Sequence, residues 1–157
     1  MSLQACLDEA IAAVRGLVPV RAVDDTYSVE EDGRGRVLSL EEVRHPRVRT
    51  IDFRARSWPE DDGEAGLRSR RLRVGLALRV YYPLDMDRGY LERMAGEDVG
   101  QLSLELPLLV LRATAPAAGM LSIPPPGAPS SREVADDDGR AAGLVVEIPF
   151  DLIYLEA

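Results

Sequence analysis

The chain has 157 residues, 46% hydrophobic and 29% charged, with 19 basic against 27 acidic side chains and a net charge of −8. That composition belongs to a folded globular protein and excludes a disordered one, and a chain of this length buries about two thirds of its unfolded surface around one core. The acidic balance argues against a general nucleic-acid binder, which needs a clustered basic excess, and the single cysteine, Cys6, excludes an intramolecular disulfide.

A single domain over residues 1–157 follows. No run approaches the ~18 apolar residues of a membrane span, and the first residues lack the basic region and apolar run of a secretory leader, so a soluble product without membrane contact is expected. Every basic residue is an arginine.

In chain order, SLQACLDEAIAAVRGLVP repeats Leu3, Leu7, Ile11, Val14 and Leu17–Val18 at helical spacing, with Ser2 as N-cap and Pro19 as the stop. Cys6 on such a helix packs as a small hydrophobe. Residues 20–36 are polar and punctuated by Gly33 and Gly35, which reads as loop with room for one short strand. Ile51, Phe53 and Ala55 then alternate with Asp52, Arg54 and Arg56, a half-buried strand ending before Pro59.

PEDDGEAGLRS, with Gly63 and Gly66 among carboxylates, reads as an exposed hairpin arm. Leu72, Val74, Leu76, Leu78, Val80 and Tyr82 face one side of the next strand and Arg71, Arg73, Ala77 and Arg79 the other. After Pro83, Leu91, Met94, Ala95, Val99, Leu102 and Leu106 form a helical face behind a cap at Asp87. LPLLVLRATA, bounded by Pro107 and Pro116, reads as a buried strand, with continuation of the helix as the alternative. Residues 115–143 hold IPPPGAP and DDDGR and read as a long proline-rich loop, a second exposed arm. LVVEIPFDLIYLE closes the chain as a strand with Leu144, Val146, Ile148, Phe150, Leu152 and Tyr154 on one face.

The outward faces of the two strongest strands carry opposite charge, Arg71, Arg73 and Arg79 against Glu147 and Asp151, which predicts that they pair. Pro149 cannot donate to a ladder, so the last strand is expected at an edge or bulged there. The fold class is α+β: a mostly antiparallel sheet with helices packed on one face, an exposed arm and a proline-rich loop, its arginine-bearing face left to water or partners.

Residues that carry chemistry are scarce. His45 is the only histidine, so a His/Cys zinc site has no ligand set. The acidic runs Glu60–Asp62 with Glu64, and Asp136–Asp138, lack calcium-loop spacing and read as solvated charge. No phosphate-binding glycine motif or nucleophile elbow occurs. The expectation is a protein that is not an enzyme and uses no cofactor or metal.

The order of elements, with RTIDFRARSW, RLRVGLALRVYYP, ERMAGEDVGQLSLEL and the closing VEIPFDLIYLE spanning most of residues 48–157, resembles the tail terminator proteins of tailed bacteriophages. That resemblance implies a homo-oligomeric ring, a hexamer in this family, that caps the tail tube, stops its polymerisation and offers the head connector or stopper protein a surface for head-tail joining. It implies a virion protein of the tail neck, assembled in the host bacterial cytoplasm, with DNA only as passing cargo. Arg71, Arg73, Arg79, Glu147 and Asp151 are then candidate cross-strand or subunit-interface charge pairs. Glu60, Asp61, Asp62 and Glu64 form an arm facing a neighbour or the lumen. Another connector, stopper or head-completion protein would read much the same, and a soluble domain binding a small molecule or peptide is the competing class.

Overall fold

The computed structural model describes residues 3–19, 25–30, 48–63, 70–83, 88–114, 120–122, 127–135 and 138–156. Two helices lie on one face of a sheet, an α+β fold. Helix α1 spans Leu3–Arg15 and α2 Arg88–Thr114; the strands are β1 Thr26–Glu30, β2 Val48–Ala55, β3 Glu60–Asp61, β4 Arg70–Pro83, β5 Met120–Ser122, β6 Ser130–Ala135 and β7 Ala141–Glu156. Among the described residues the sheet has seven strands in the order β1-β2-β4-β7-β5, with β3 added to β4 and β6 to β7. Only β1 and β2 run parallel among these pairs.

The backbone of the fold is the β4–β7 ladder, in register from Arg70↔Glu156 to Pro83↔Gly143. Because strand side chains alternate, this register lines up Leu72, Val74, Leu76, Leu78, Val80 and Tyr82 with Tyr154, Leu152, Phe150, Ile148, Val146 and Leu144 on one face. Both helices cover that face. α1 contributes Cys6, Ala10 and Val14, with Leu17 just beyond, while Leu3, Leu7 and Ile11 pack at its margin and Val18 stays half exposed. The buried face of α1 is thus centred one position from the leucine stripe of the sequence. The helix ends at Arg15, ahead of Pro19, where the Gly16 and Leu17 amides close the last turn on Ala12 and Val14 carbonyls.

Two segments differ from expectation, and a third matches it. The buried strand expected from Leu106 is absent: α2 continues through Pro107 to Thr114, although a proline cannot donate an amide bond to the Ser103 carbonyl. The acidic segment opens as the expected exposed hairpin: Glu60 and Asp61 pair antiparallel with Arg73 and Leu72 as β3, and the Asp62 amide donates to the Arg71 carbonyl at 2.9 Å. The proline-rich excursion contains β5 and β6, and β6 reaches β7 through a turn at Gly139, whose φ of 79° lies in the left-handed region that glycine adopts freely.

β7 is neither an edge strand nor bulged at Pro149. β6 pairs with it as far as Glu147 and β5 from Ile153, leaving a gap between them. Pro149 accepts from the Gly127 amide at 2.9 Å across this gap, so the side of the residue that lacks an N–H faces away from β4. Gly127 is required there: a Cβ on it would stand 2.9 Å from Pro149 Cγ. The caps expected at Ser2 and Asp87, and His45, Pro124, Pro125, Pro126, Asp136 and Glu64, lie outside the described residues.

Candidate functional site

The face of the sheet away from the helices carries the charged residues singled out from the sequence, and the structure divides it in two. At one end β3 lies beside β4 and its acids clamp the arginines. On this face Asp62 accepts from Arg71 Nε at 3.0 Å and Arg73 Nε at 2.8 Å, whereas Arg70 and Asp61, in phase with Leu72, pair at 2.9 Å at the exposed margin of the opposite face. Arg73 also donates to Asp151 on β7 at 3.1 Å, bridging β3, β4 and β7. The Arg73 hydrogen bond holds the Asp62 carboxyl below its ordinary value. Glu60 is exposed opposite Arg73.

At the other end the face is closed. Arg79 is 2% exposed and Asp52, its register partner on β2, 5%. Thr50, Ala77, Tyr81 and Val145 are buried on the same face, with Val134 of β6 packed against Tyr81 and Val145. The arginine face is therefore not left wholly to water. Arg79 stands opposite both Asp52 on β2 and Glu147 on β7, and its ion partner is Asp52, with Nη2 2.8 Å from Oδ2. That approach lacks hydrogen-bond alignment, and Arg79 Nε is buried without a hydrogen-bond partner. Burial pushes the Asp52 carboxyl above its ordinary value, and Arg79 only partly offsets it. Glu147 lies 3.7 Å from Arg56, beyond the end of β2.

Between the two ends lies a cleft of about 470 Å³ floored by Gly75 and bounded by Arg56, Ser57, Gly127, Pro149 and Asp151. The Gly75 amide donates to Ser57 Oγ at 3.0 Å and its carbonyl accepts from the Arg56 amide at 2.7 Å. These bonds pin the chain after β2 against β4 immediately before Trp58, which is 88% exposed.

A second polar cluster, under the helices, was not anticipated. Arg49 is 1% exposed and lies between two carboxylates, Asp25 ahead of β1 and Asp98 of α2, whose Oδ2 accepts from Arg49 Nε at 3.1 Å. Tyr82 donates to Asp98 Oδ2 at 2.6 Å. The Tyr27 hydroxyl stands 2.9 Å from Asp98 Oδ1 and 3.0 Å from Gln101 Oε1, and Gln101 Nε2 donates to the Val18 carbonyl at 2.8 Å. Burial works against the Arg49 charge, yet the two carboxylates outweigh it and hold the guanidinium above its ordinary value. Burial and Asp98 both raise the tyrosine hydroxyls, which stay protonated donors. The cluster is closed to solvent and ties α2, β1, β2 and β4 together; its chemistry is that of a clasp. Its signal in the sequence is charge in phase with an apolar face: Arg49 alternates with Ile51 and Phe53, and Asp98 falls four residues from both Met94 and Leu102.

Cys6 is fully buried, and burial pushes its thiol up, as for a packing residue. Among the described residues no three His, Cys, Asp or Glu side chains converge, and no helix is long and apolar enough to cross a membrane. Comparison with known proteins finds no family model that matches the chain and no curated protein significantly similar to it.

Proposed function

We propose that this chain is a structural subunit of a phage neck, resembling a tail terminator, which assembles with copies of itself into a ring, with six members the expected number. The ring caps the tail tube, ends its polymerisation and presents a surface to the head connector or stopper protein. The observation that carries the reading is the open sheet. Its outer strand β6 hydrogen-bonds β7 on one side only among the described residues, and all but one of its residues are exposed, which leaves a row of backbone donors and acceptors for another chain. The element order on which the family resemblance rests, from α1 through β2, β4 and α2 to β7, is also retained. On this reading the protein is not a catalyst, takes no cofactor or metal, and meets DNA only as cargo in the lumen of a virion.

Negative-stain microscopy with mass determination over a range of concentrations, with and without purified tail tubes, tests it. A six-fold ring, free or seated on tube ends, is the expected result; a monomer that ignores tube ends at every concentration rejects it. A ring that binds a connector but not tubes would assign the chain to the stopper or head-completion class. The cleft of about 470 Å³ at Gly75 favours one second reading, a small-molecule or peptide-binding domain, because its size is that of an ordinary ligand site and Arg56 and Asp151 give it polar walls. Saturable binding by the monomer would favour that reading.

A further inference from the structure

We propose that the subunits join by inserting Trp58 of one copy into an apolar groove between α2 and β6 of the next. This rests on the ring reading above and names its contact. Trp58 is the only tryptophan of the chain and stands 88% exposed. It is held, not dangling: the two residues before it are bonded to Gly75 of β4, and Pro59 after it restricts Trp58 to extended backbone. A large aromatic fixed in this way loses little freedom on binding, which is the property of an interface anchor.

The groove has a volume of about 250 Å³ and is lined by Ala95, Gly96 and Val99 of α2, Leu144 and Val146 of β7, and Pro129. It is smaller than the ~300–1,000 Å³ of small-molecule sites and suits one aromatic side chain. Ser130 and Ser131 at its rim offer hydroxyl acceptors for an indole N–H. Gly96 keeps it open: glycine is a poor helix former, and a Cβ at this position would meet nothing within 4 Å, so packing within the chain does not call for it. Charge agrees with the match, since Arg56 precedes the anchor by two residues and Glu92 borders the groove.

One molecule cannot satisfy itself. Ser57 is bonded at Gly75, whereas Val146 and Leu144 pair with Val80 and Tyr82, about 17 Å or more further along β4. Trp58 follows β2 and the groove lies beyond β7, on opposite flanks of β4. An anchor and a pocket in different places on one molecule make a head-to-tail contact, the kind that closes into rings.

The single tryptophan makes the test direct. Intrinsic fluorescence and acrylamide quenching are followed on the full chain while mass photometry or sedimentation records assembly. On assembly the emission should move to the blue and quenching fall several-fold. Trp58→Ala and Gly96→Leu should each weaken assembly at least tenfold and leave thermal unfolding of the monomer intact, because one residue is exposed and the other faces open space. A ring that forms with Trp58 still fully quenchable, or that both variants leave unchanged, overturns the contact and spares the ring. A two-subunit dimer with Trp58 buried supports the contact and overturns the ring. A chain that stays monomeric throughout overturns both.

Discussion

At the residue scale, two arginines of one strand face, six positions apart, have different roles because of what surrounds them. Arg73 sits in solvent between Asp62 and Asp151, where exposed pairs contribute little to stability. Arg79 is sealed beside Asp52. Arg79→Glu, which buries a second carboxylate there, is expected to lower unfolding stability by about 3–5 kcal/mol or to prevent folding. Arg73→Glu should produce a small drop that Asp151→Arg partly reverses. Urea denaturation of the three variants checks the ranking. The aspartates differ in the sign of their pH dependence. The folded-state value of Asp52 is raised, so its contribution is present below the ordinary carboxylate value and lost as pH rises through the raised one. The folded-state value of Asp62 is lowered, so its contribution is present above the ordinary value and lost as pH falls through the lowered one. The stability of wild type relative to Asp52→Asn should therefore decline with rising pH, and relative to Asp62→Asn it should grow. Denaturant titrations from pH 3 upward read both slopes.

At the scale of elements, α2 and the sheet are joined by hydrophobic contact and by one ionic clasp. Asp98 collects Arg49 from β2 and Tyr82 from β4, with Tyr27 of β1 within reach. Removing it takes one of the two carboxylates from the Arg49 charge and leaves the buried Tyr82 hydroxyl to find a new acceptor, while Tyr27 keeps Gln101. Asp98→Ala is expected to cost about 3–5 kcal/mol, with faster amide exchange in β1 and α2 than in the β4–β7 ladder, where backbone pairing is unchanged. Exchange measured by mass spectrometry on variant and wild type would show it. A uniform acceleration across β4 and β7 would mean that the clasp is no more local than the rest of the core.

For the whole molecule, assembly has to overcome charge. Each copy carries a net charge of −8, so copies in the proposed ring would repel one another beyond the contacts they make. Screening over a Debye length of about 10 Å at 0.1 M salt reduces that repulsion. Self-association is accordingly expected to tighten as salt rises from low to moderate concentration, by sedimentation at fixed protein concentration. Weakening instead would mean that the contact depends mainly on ion pairs such as Arg56 with Glu92. The same acidic balance predicts no retardation of DNA in a gel at physiological salt.

The alternation of apolar and charged residues in 70–83 and 141–156 was enough to establish the two long strands, their pairing and the helix-covered face, because period two and opposite charge are local properties of the chain. Complete helical periodicity did the same for α1 and the first part of α2. Three things depended on the fold. Whether residues 106–114 are strand or helix turns on what they continue from, since a short apolar run has no period of its own. Which carboxylate takes Arg79 turns on β2 lying beside β4, a pairing between strands separated by the acidic segment. And the clasp of Asp25, Arg49 and Asp98 exists only where three distant segments meet under α2, for a buried charge is tolerated only with its partners in place, and only tertiary structure brings them there.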